Sequence, residues 1–284
     1  MRTEKEMYEL ILSVAKKDER VRVVGMNGSR TNPNVPRDDF QDYDIVYVVT
    51  EMQSFLDHPS WIDIFGQRII LQKPEAMDLF PPELGNWFSY LMLFEDETRI
   101  DLILVPIEEL NKYLQNDKLI KILLDKDHRV PVLPSSTDID YWVQRPTPFC
   151  FDDCCNEFWW LSTYVVKGLC RDELPYAIDH LTNMRNQLYT MLSWQVGIEI
   201  DFSASMGKNY KYIKNYLSIN VWKDVMKTYR NDTKGNIWSS FWKCCELFRN
   251  ASTGVALQME FKYPEYDEKV TRYLEKKYKE NTQL

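Results

Sequence analysis

The sequence predicts an α+β chain in two parts: a mixed β-sheet flanked by helices over residues 1–140, and an all-α helical bundle over residues 141–284. Three observations carry this. Short β-branched and aromatic runs bounded by turn residues are confined to the first half. After a connector punctuated by Pro131, Pro134, Pro146 and Pro148, the apolar spacing turns helical. The charge changes at the same place. Residues 1–140 hold 26 acidic and 16 basic side chains, residues 141–284 hold 17 and 19, and the whole chain carries a net −8. With 284 residues, 44% of them hydrophobic, and Trp 9, Tyr 17 and Phe 13, the chain has material for two cores and is not built to stay disordered.

Residues 3–17 place Met7, Leu10, Ile11 and Val14 on one face of an amphipathic helix. Val21 to Gly25 alternate as a short strand that runs into Asn27-Gly28-Ser29-Arg30. Residues 31–41, rich in Asn, Pro and Asp, read as a loop. Tyr43 to Val49 suit the centre of a sheet, and Arg68 to Gln72 form a further short strand. Tyr90 to Phe94 and Arg99 to Val105 flank Glu95-Asp96-Glu97-Thr98, an antiparallel hairpin with an acidic turn. Pro106 stops that strand, and residues 107–114 look helical. In the second half the helical periods span 152–169, 173–196, 209–229, 235–250 and 265–279.

The acidic balance argues against a chain whose main work is gripping nucleic acid, because a phosphate backbone requires a basic face. It favours a cationic partner, or carboxylates that hold a metal. The opening MRTEKEMYEL is charged and helical, unlike a signal peptide, and no apolar run is long enough for a transmembrane helix, so a cytoplasmic location is expected. Six cysteines occur, three of them within Cys150–Cys155, but there is no CxxC pair and His58, His128 and His180 lack ligand spacing. They read as buried free thiols on helices, without zinc or disulfides.

Three short features carry chemistry. Gly28-Ser29 at a strand end, opening onto a helix, can offer backbone N–H groups and a hydroxyl to phosphate oxygens; alone, it is equally a turn or an N-cap. Asp42 and Asp44 are i and i+2 on a strand, so they share a face and repel unless a cation sits between them; the plainer alternative is a polar strand end facing water. Asp101 interrupts an apolar strand, where a buried carboxylate must be paired, metal-bound or at a solvent-lined cleft; the plainer alternative has it facing outward beside Arg99.

Their order is more specific than any one of them. A strand ends in Gly-Ser, Asp-x-Asp follows thirteen residues later, and a third Asp lies on a hairpin strand downstream. This resembles the polymerase-β-like nucleotidyltransferase superfamily. Nucleotidyl transfer suits these residues: two carboxylates hold Mg²⁺ against a triphosphate, the Gly-Ser backbone and Ser29 cradle phosphates, and the third carboxylate sits beside the attacking hydroxyl.

Finer likeness lies in Met26-Asn27-Gly28-Ser29-Arg30, Phe40-Gln41-Asp42-Tyr43-Asp44-Ile45-Val46-Tyr47, Arg99-Ile100-Asp101-Leu102, Val166-Lys167-Gly168-Leu169 and Leu174-Pro175-Tyr176-Ala177. These resemble the aminoglycoside 6-adenylyltransferases along the whole chain. The resemblance implies an N-terminal nucleotidyltransferase domain over 1–140 and a helical substrate- and nucleotide-binding domain over 141–284. It implies transfer of AMP from ATP to position 6 of the streptidine ring of streptomycin, with release of pyrophosphate and resistance to the drug. It assigns Asp42, Asp44 and Asp101 to Mg²⁺, Asp101 also to activating the hydroxyl, and Gly28, Ser29 and Arg30 to the phosphates.

The helical half is expected to wall the other side of a substrate cleft. Asp153 and Glu157, i and i+4 neighbours close to Asp152, can receive the guanidinium groups of streptomycin or simply complement a helix N-terminus. Lys208, ahead of Lys211 and Lys214, can reach the triphosphate, or the three form a solvated basic face. Trp159-Trp160 stack on a ligand or belong to the core, Arg171, Asp172 and Glu173 start a helix, and His180 is structural. The expected partners are ATP and a streptomycin-like aminoglycoside, with no nucleic acid and no membrane, on a monomer or weak dimer. Two other readings stand beside this one: a nucleotidyltransferase with another acceptor, and a nucleotide-binding regulatory module without chemistry. The intact set of three carboxylates argues against the second.

Overall fold

The structure is a computed structural model; it describes residues 1–282 and divides into two compact units, Met1–Asp140 and Tyr141–Leu284. In the first unit the strands are β1 (Val21–Asn27), β2 (Tyr43–Val49), β3 (Arg68–Gln72), β4 (Phe88–Phe94), β5 (Arg99–Pro106) and β6 (Ile120–Asp125). They form one sheet in the order β3-β4-β5-β2-β1-β6. β2 and β5 run parallel at its centre, and the other neighbouring strands pair antiparallel. The mixed α+β class expected from the sequence is therefore what the chain builds.

Strand alternation sorts the side chains onto two faces. Tyr43, Ile45, Tyr47 and Val49 pack with Ile100, Leu102 and Leu104 against Met7 and Ile11 of α1 (Glu4–Lys17). Val46, Val48 and Val105 point the other way, toward Leu110 and Tyr113 of α3 (Leu110–Asn116), which follows the short α2 (Met52–Asp57). Helix α1 starts at a capping box: the Glu6 N–H donates to Thr3 Oγ1 at 3.3 Å and the Thr3 N–H to Glu6 Oε2 at 2.8 Å. Tyr47 Oη, buried, donates to the Ile11 carbonyl at 2.6 Å and pins that helix to the sheet.

Details of this unit depart from the sequence expectation. Residues 107–114 enter α3 through a 3-10 turn at Ile107–Glu109. β6 was not expected, because its short run becomes a strand only by pairing with β1 at the sheet edge.

The second unit holds α4 (Pro148–Cys170), α5 (Leu174–Glu199), α6 (Ile219–Lys227), α7 (Lys234–Met259) and α8 (Tyr266–Thr282). α4 packs on α5, α7 and α8, and α7 also packs on α5 and α6. Phe158 stacks on Phe248 with ring centroids 3.7 Å apart and planes 3° from parallel. Arg249 donates to both carboxylate oxygens of Asp267 at 2.8 and 2.7 Å, tying α7 to α8.

The helix expected over 209–229 is broken. Lys208–Tyr210 and Ile213–Asn215 are 3-10 turns, and α6 starts only at Ile219, where Ser218 Oγ accepts the Val221 N–H at 3.3 Å. Gly207, Asn209 and Tyr210 have φ of 73°, 55° and 60°, and left-handed residues cannot propagate a right-handed helix. The six cysteines are free, and burial pushes the thiols of Cys154 and Cys244 up to about 12, which leaves them unreactive. Among the described residues, no helix is long and apolar enough to cross a membrane.

Candidate active site

The site is set by register. β2 and β5 pair so that Asp44 stands directly beside Asp101, and side chains at paired positions leave the sheet on the same face. Asp42, two residues before Asp44, and Arg99, two before Asp101, fall on that face as well. It is the face of Val46, Val48 and Val105, opposite the one covered by α1. The three carboxylates expected from the sequence are thus brought together.

Gly28 begins at the end of β1, with φ 69°. A Cβ built there would lie 2.1 Å from Asp44 Oδ2, so only glycine admits both the backbone turn and the carboxylate. The expected helix after Gly28-Ser29 is a single 3-10 turn, Gly28–Thr31, closed by Thr31 Oγ1 donating to the Gly28 carbonyl at 2.9 Å. Arg37 and Asn32 then continue into the loop.

Asn27 holds the base of this turn, a role that sequence reasoning missed. Its Nδ2 donates to the Leu119 carbonyl at 3.1 Å and its Oδ1 accepts from Tyr113 Oη at 2.8 Å. Asn27→Ala removes both bonds and strands the Tyr113 hydroxyl, so urea denaturation should show a loss of about 2 kcal/mol. A loss below about 0.5 kcal/mol would mean that other contacts hold the turn.

The electrostatics follow from crowding. Burial, then the charges of Asp101 and Asp42, push the Asp44 carboxyl from its ordinary 3.8 up to about 6. Arg99 offsets part of this. Its Nε and Nη2 donate to the two oxygens of Asp101, both at 2.8 Å, and its Nη1 lies 3.6 Å from Asp42 Oδ2. Sequence reasoning had Arg99 only as an outward neighbour of Asp101. The same i, i+2 rule that joins Asp42 to Asp44 would have placed it in the cluster.

Arg30 was expected at the phosphates. Its guanidinium lies 3.8 Å from the Tyr43 ring centroid and donates to the carbonyls of Asp42 at 3.0 Å and Gln41 at 2.8 Å. It braces the backbone that carries Asp42.

Hard carboxylate oxygens at Asp42, Asp44 and Asp101, all partly buried and two of them paired with Arg99, suit Mg²⁺ in donor chemistry. Among the described residues, no three His, Cys, Asp or Glu side chains are arranged as they stand to hold a metal ion. As they stand, both oxygens of Asp101 accept from Arg99.

In the helical unit, Asp153 and Glu157 are exposed on one face of α4. The helix starts at Pro148, and Thr147 Oγ1 accepts the Cys150 N–H at 3.2 Å. Asp153 therefore lies beyond the first turn, which removes the helix-capping explanation for it. Trp159 is core, whereas Trp160 is 59% exposed, its Nε1 donating to Tyr164 Oη at 2.9 Å. His180 packs between the rings of Tyr164 and Tyr176. Lys208 is exposed at its 3-10 turn, and with no helix over 209–214 it does not share a helical face with Lys211 and Lys214.

A glycine-serine turn, two neighbouring carboxylates at the start of one strand and a third on the parallel strand stand together in a chain of the nucleotidyltransferase class. The sequence model of the streptomycin adenylyltransferase family matches residues 1–277, and the chain belongs to that family. It is 52% identical over 275 residues to an aminoglycoside 6-adenylyltransferase of Campylobacter jejuni, covering 96% of this chain and 95% of that one. Its identity to the aminoglycoside 6-adenylyltransferase of Bacillus subtilis (strain 168) is 51% over 277 residues, covering 97% and 98%. The Staphylococcus aureus enzyme of the same name is 40% identical over 280 residues, covering 98% and 99%. A crystal structure of an aminoglycoside 6-adenyltransferase from Bacillus subtilis covers 98% of this chain and 99% of its own at 47% identity, with a TM-score of 0.49.

Proposed function

We propose that this chain transfers AMP from ATP to a hydroxyl of an aminoglycoside, at position 6 of streptomycin, releasing pyrophosphate and conferring resistance in the cytoplasm. The observation that carries the reading is the Asp44–Asp101 register, which gathers three carboxylates beside the Gly28 turn in a member of this family.

Asp42 and Asp44, with Asp101 beside them, would hold Mg²⁺. Bound there, the ion would supply charge neutralisation for the triphosphate. Gly28 and Ser29 meet the phosphates, and Arg30 serves them indirectly by fixing the backbone of Asp42. Asp101 takes the proton of the acceptor hydroxyl. The freed oxygen bonds to the α-phosphorus as the bond to pyrophosphate breaks, and the product carries AMP as a phosphodiester. In the helical unit, Asp153 and Glu157 are assigned to cationic groups of the acceptor and Lys208 to the nucleotide.

Pyrophosphate release from ATP and Mg²⁺ across a panel of aminoglycosides tests the reading. Release with streptomycin is expected, and Asp101→Asn should lower kcat by about 10²–10⁴-fold while streptomycin still binds. No release with any aminoglycoside would overturn it.

A further inference from the structure

We propose that Arg99 is the resident cation of the carboxylate cluster, and that a divalent ion enters only by displacing its guanidinium from Asp101 and Asp42. The inference rests on the reading of Asp42, Asp44 and Asp101 as the metal-holding set.

The geometry of Arg99 is that of a counter-ion. Its fork engages both oxygens of Asp101 at 2.8 Å, and a third nitrogen lies 3.6 Å from Asp42. It thereby neutralises two of the three carboxylates that would otherwise crowd one face of the sheet. Bidentate arginine–carboxylate pairing is strong and directional, so this is a stable arrangement. A divalent ion wants the same oxygens at about 2.1 Å, and there it would stand next to a guanidinium of like charge. The two cations therefore compete for one place.

Arg99 is also free to leave. The Arg99 side chain is 43% exposed, and among the described residues its side-chain hydrogen bonds go to Asp101 alone. It lines a cavity of about 470 Å³ that holds Asp38, Asp39 and Glu97 beside Arg2, Arg30 and Arg37, which gives the displaced guanidinium room and carboxylates to meet. Arg30, in the same cavity, is pinned by two carbonyls and an aromatic ring. Of these two arginines, only Arg99 is held by the very groups that a metal would take.

Mn²⁺ binding to the full chain, followed by electron paramagnetic resonance, tests this with wild type, Arg99→Gln and Arg99→Lys. Arg99→Gln should bind Mn²⁺ about tenfold tighter or more, and Arg99→Lys, which keeps the charge, should stay near wild type. Without divalent ions, Arg99→Gln should melt below wild type, and Mg²⁺ should restore it. In wild type, where no variant needs to fold, the Arg99 Nε–H resonance should move as Mg²⁺ is titrated. Equal or weaker Mn²⁺ binding by Arg99→Gln, or an Arg99 resonance unmoved at saturating Mg²⁺, would overturn the proposal while leaving the metal site intact. Absence of Mn²⁺ binding to any of the three chains would remove the metal site and the competition with it.

Discussion

Asp44→Asn is expected to stop AMP transfer and, in the absence of divalent ions, to make the chain more stable at neutral pH. The two effects have one cause. Burial, with Asp101 and Asp42 nearby, raises the Asp44 carboxyl from 3.8 to about 6. The folded chain therefore keeps this proton at pH values where the unfolded chain has lost it. The stability that the protonated carboxyl contributes is fully present below about pH 4 and is lost as pH rises through about 6. Above that, the ionised Asp44 costs up to about 3 kcal/mol, since a tenfold change in proton affinity is worth about 1.4 kcal/mol. Asparagine keeps the shape and removes the charge. Urea denaturation in a chelating buffer should show Asp44→Asn ahead of wild type by about 2–3 kcal/mol at pH 7.5, with the gap closing toward pH 4. Turnover should fall by about 10³-fold or more, because a charge that stabilises the transition state has gone. A variant less stable than wild type at pH 7.5, or one with near-normal turnover, would contradict the assignment.

Gly28→Ala should be far more damaging than Gly85→Ala, although the two glycines have nearly the same φ of 69° and 65°. Both substitutions place a Cβ in the left-handed region, at about 1–2 kcal/mol each. At Gly85 nothing lies within 4 Å of the new Cβ. At Gly28 it would meet Asp44 Oδ2 at 2.1 Å and Cγ at 2.8 Å, so Asp44 must move. Gly85→Ala should keep full turnover with a loss of about 1–2 kcal/mol in stability. Gly28→Ala should lose kcat/KM by about 10²-fold or more, the usual effect of displacing a reactive group by an ångström. Comparing the pair removes the backbone contribution and leaves the contact with Asp44. Equal turnover in both variants would show that the Asp44 carboxylate can move without consequence.

What the sequence made legible followed from short-range rules. The i, i+2 alternation placed Asp42 with Asp44, and the apolar runs Tyr43–Val49 and Arg99–Val105 marked the two strands that carry the carboxylates. The same pattern could not say that these strands are parallel neighbours in register, because strand pairing is long-range. β6 was hidden for the same reason. Asn27 was missed because an amide that buttresses a turn leaves no periodic trace, and Arg99 because its i, i+2 relation to Asp101 joins the cluster only once β5 is set beside β2. The helix over 209–229 failed at Gly207, Asn209 and Tyr210, where backbone conformation outranks apolar spacing.

The parallel pairing of β2 and β5 has a consequence for how the chain acquires its activity. The β4–β5 hairpin closes over a tight turn and can form early, as can the antiparallel pairing of β1 with β2. Joining the two pieces means bringing together ends separated by α2, β3 and β4, at a greater loss of chain entropy. That joining event also first sets Asp44 beside Asp101. A folding intermediate with two separate sheets would hold Asp42, Asp44 and Asp101 without bringing them together. Gathering the three carboxylates is thus a late-folding event in this chain, reached in the step that completes the core.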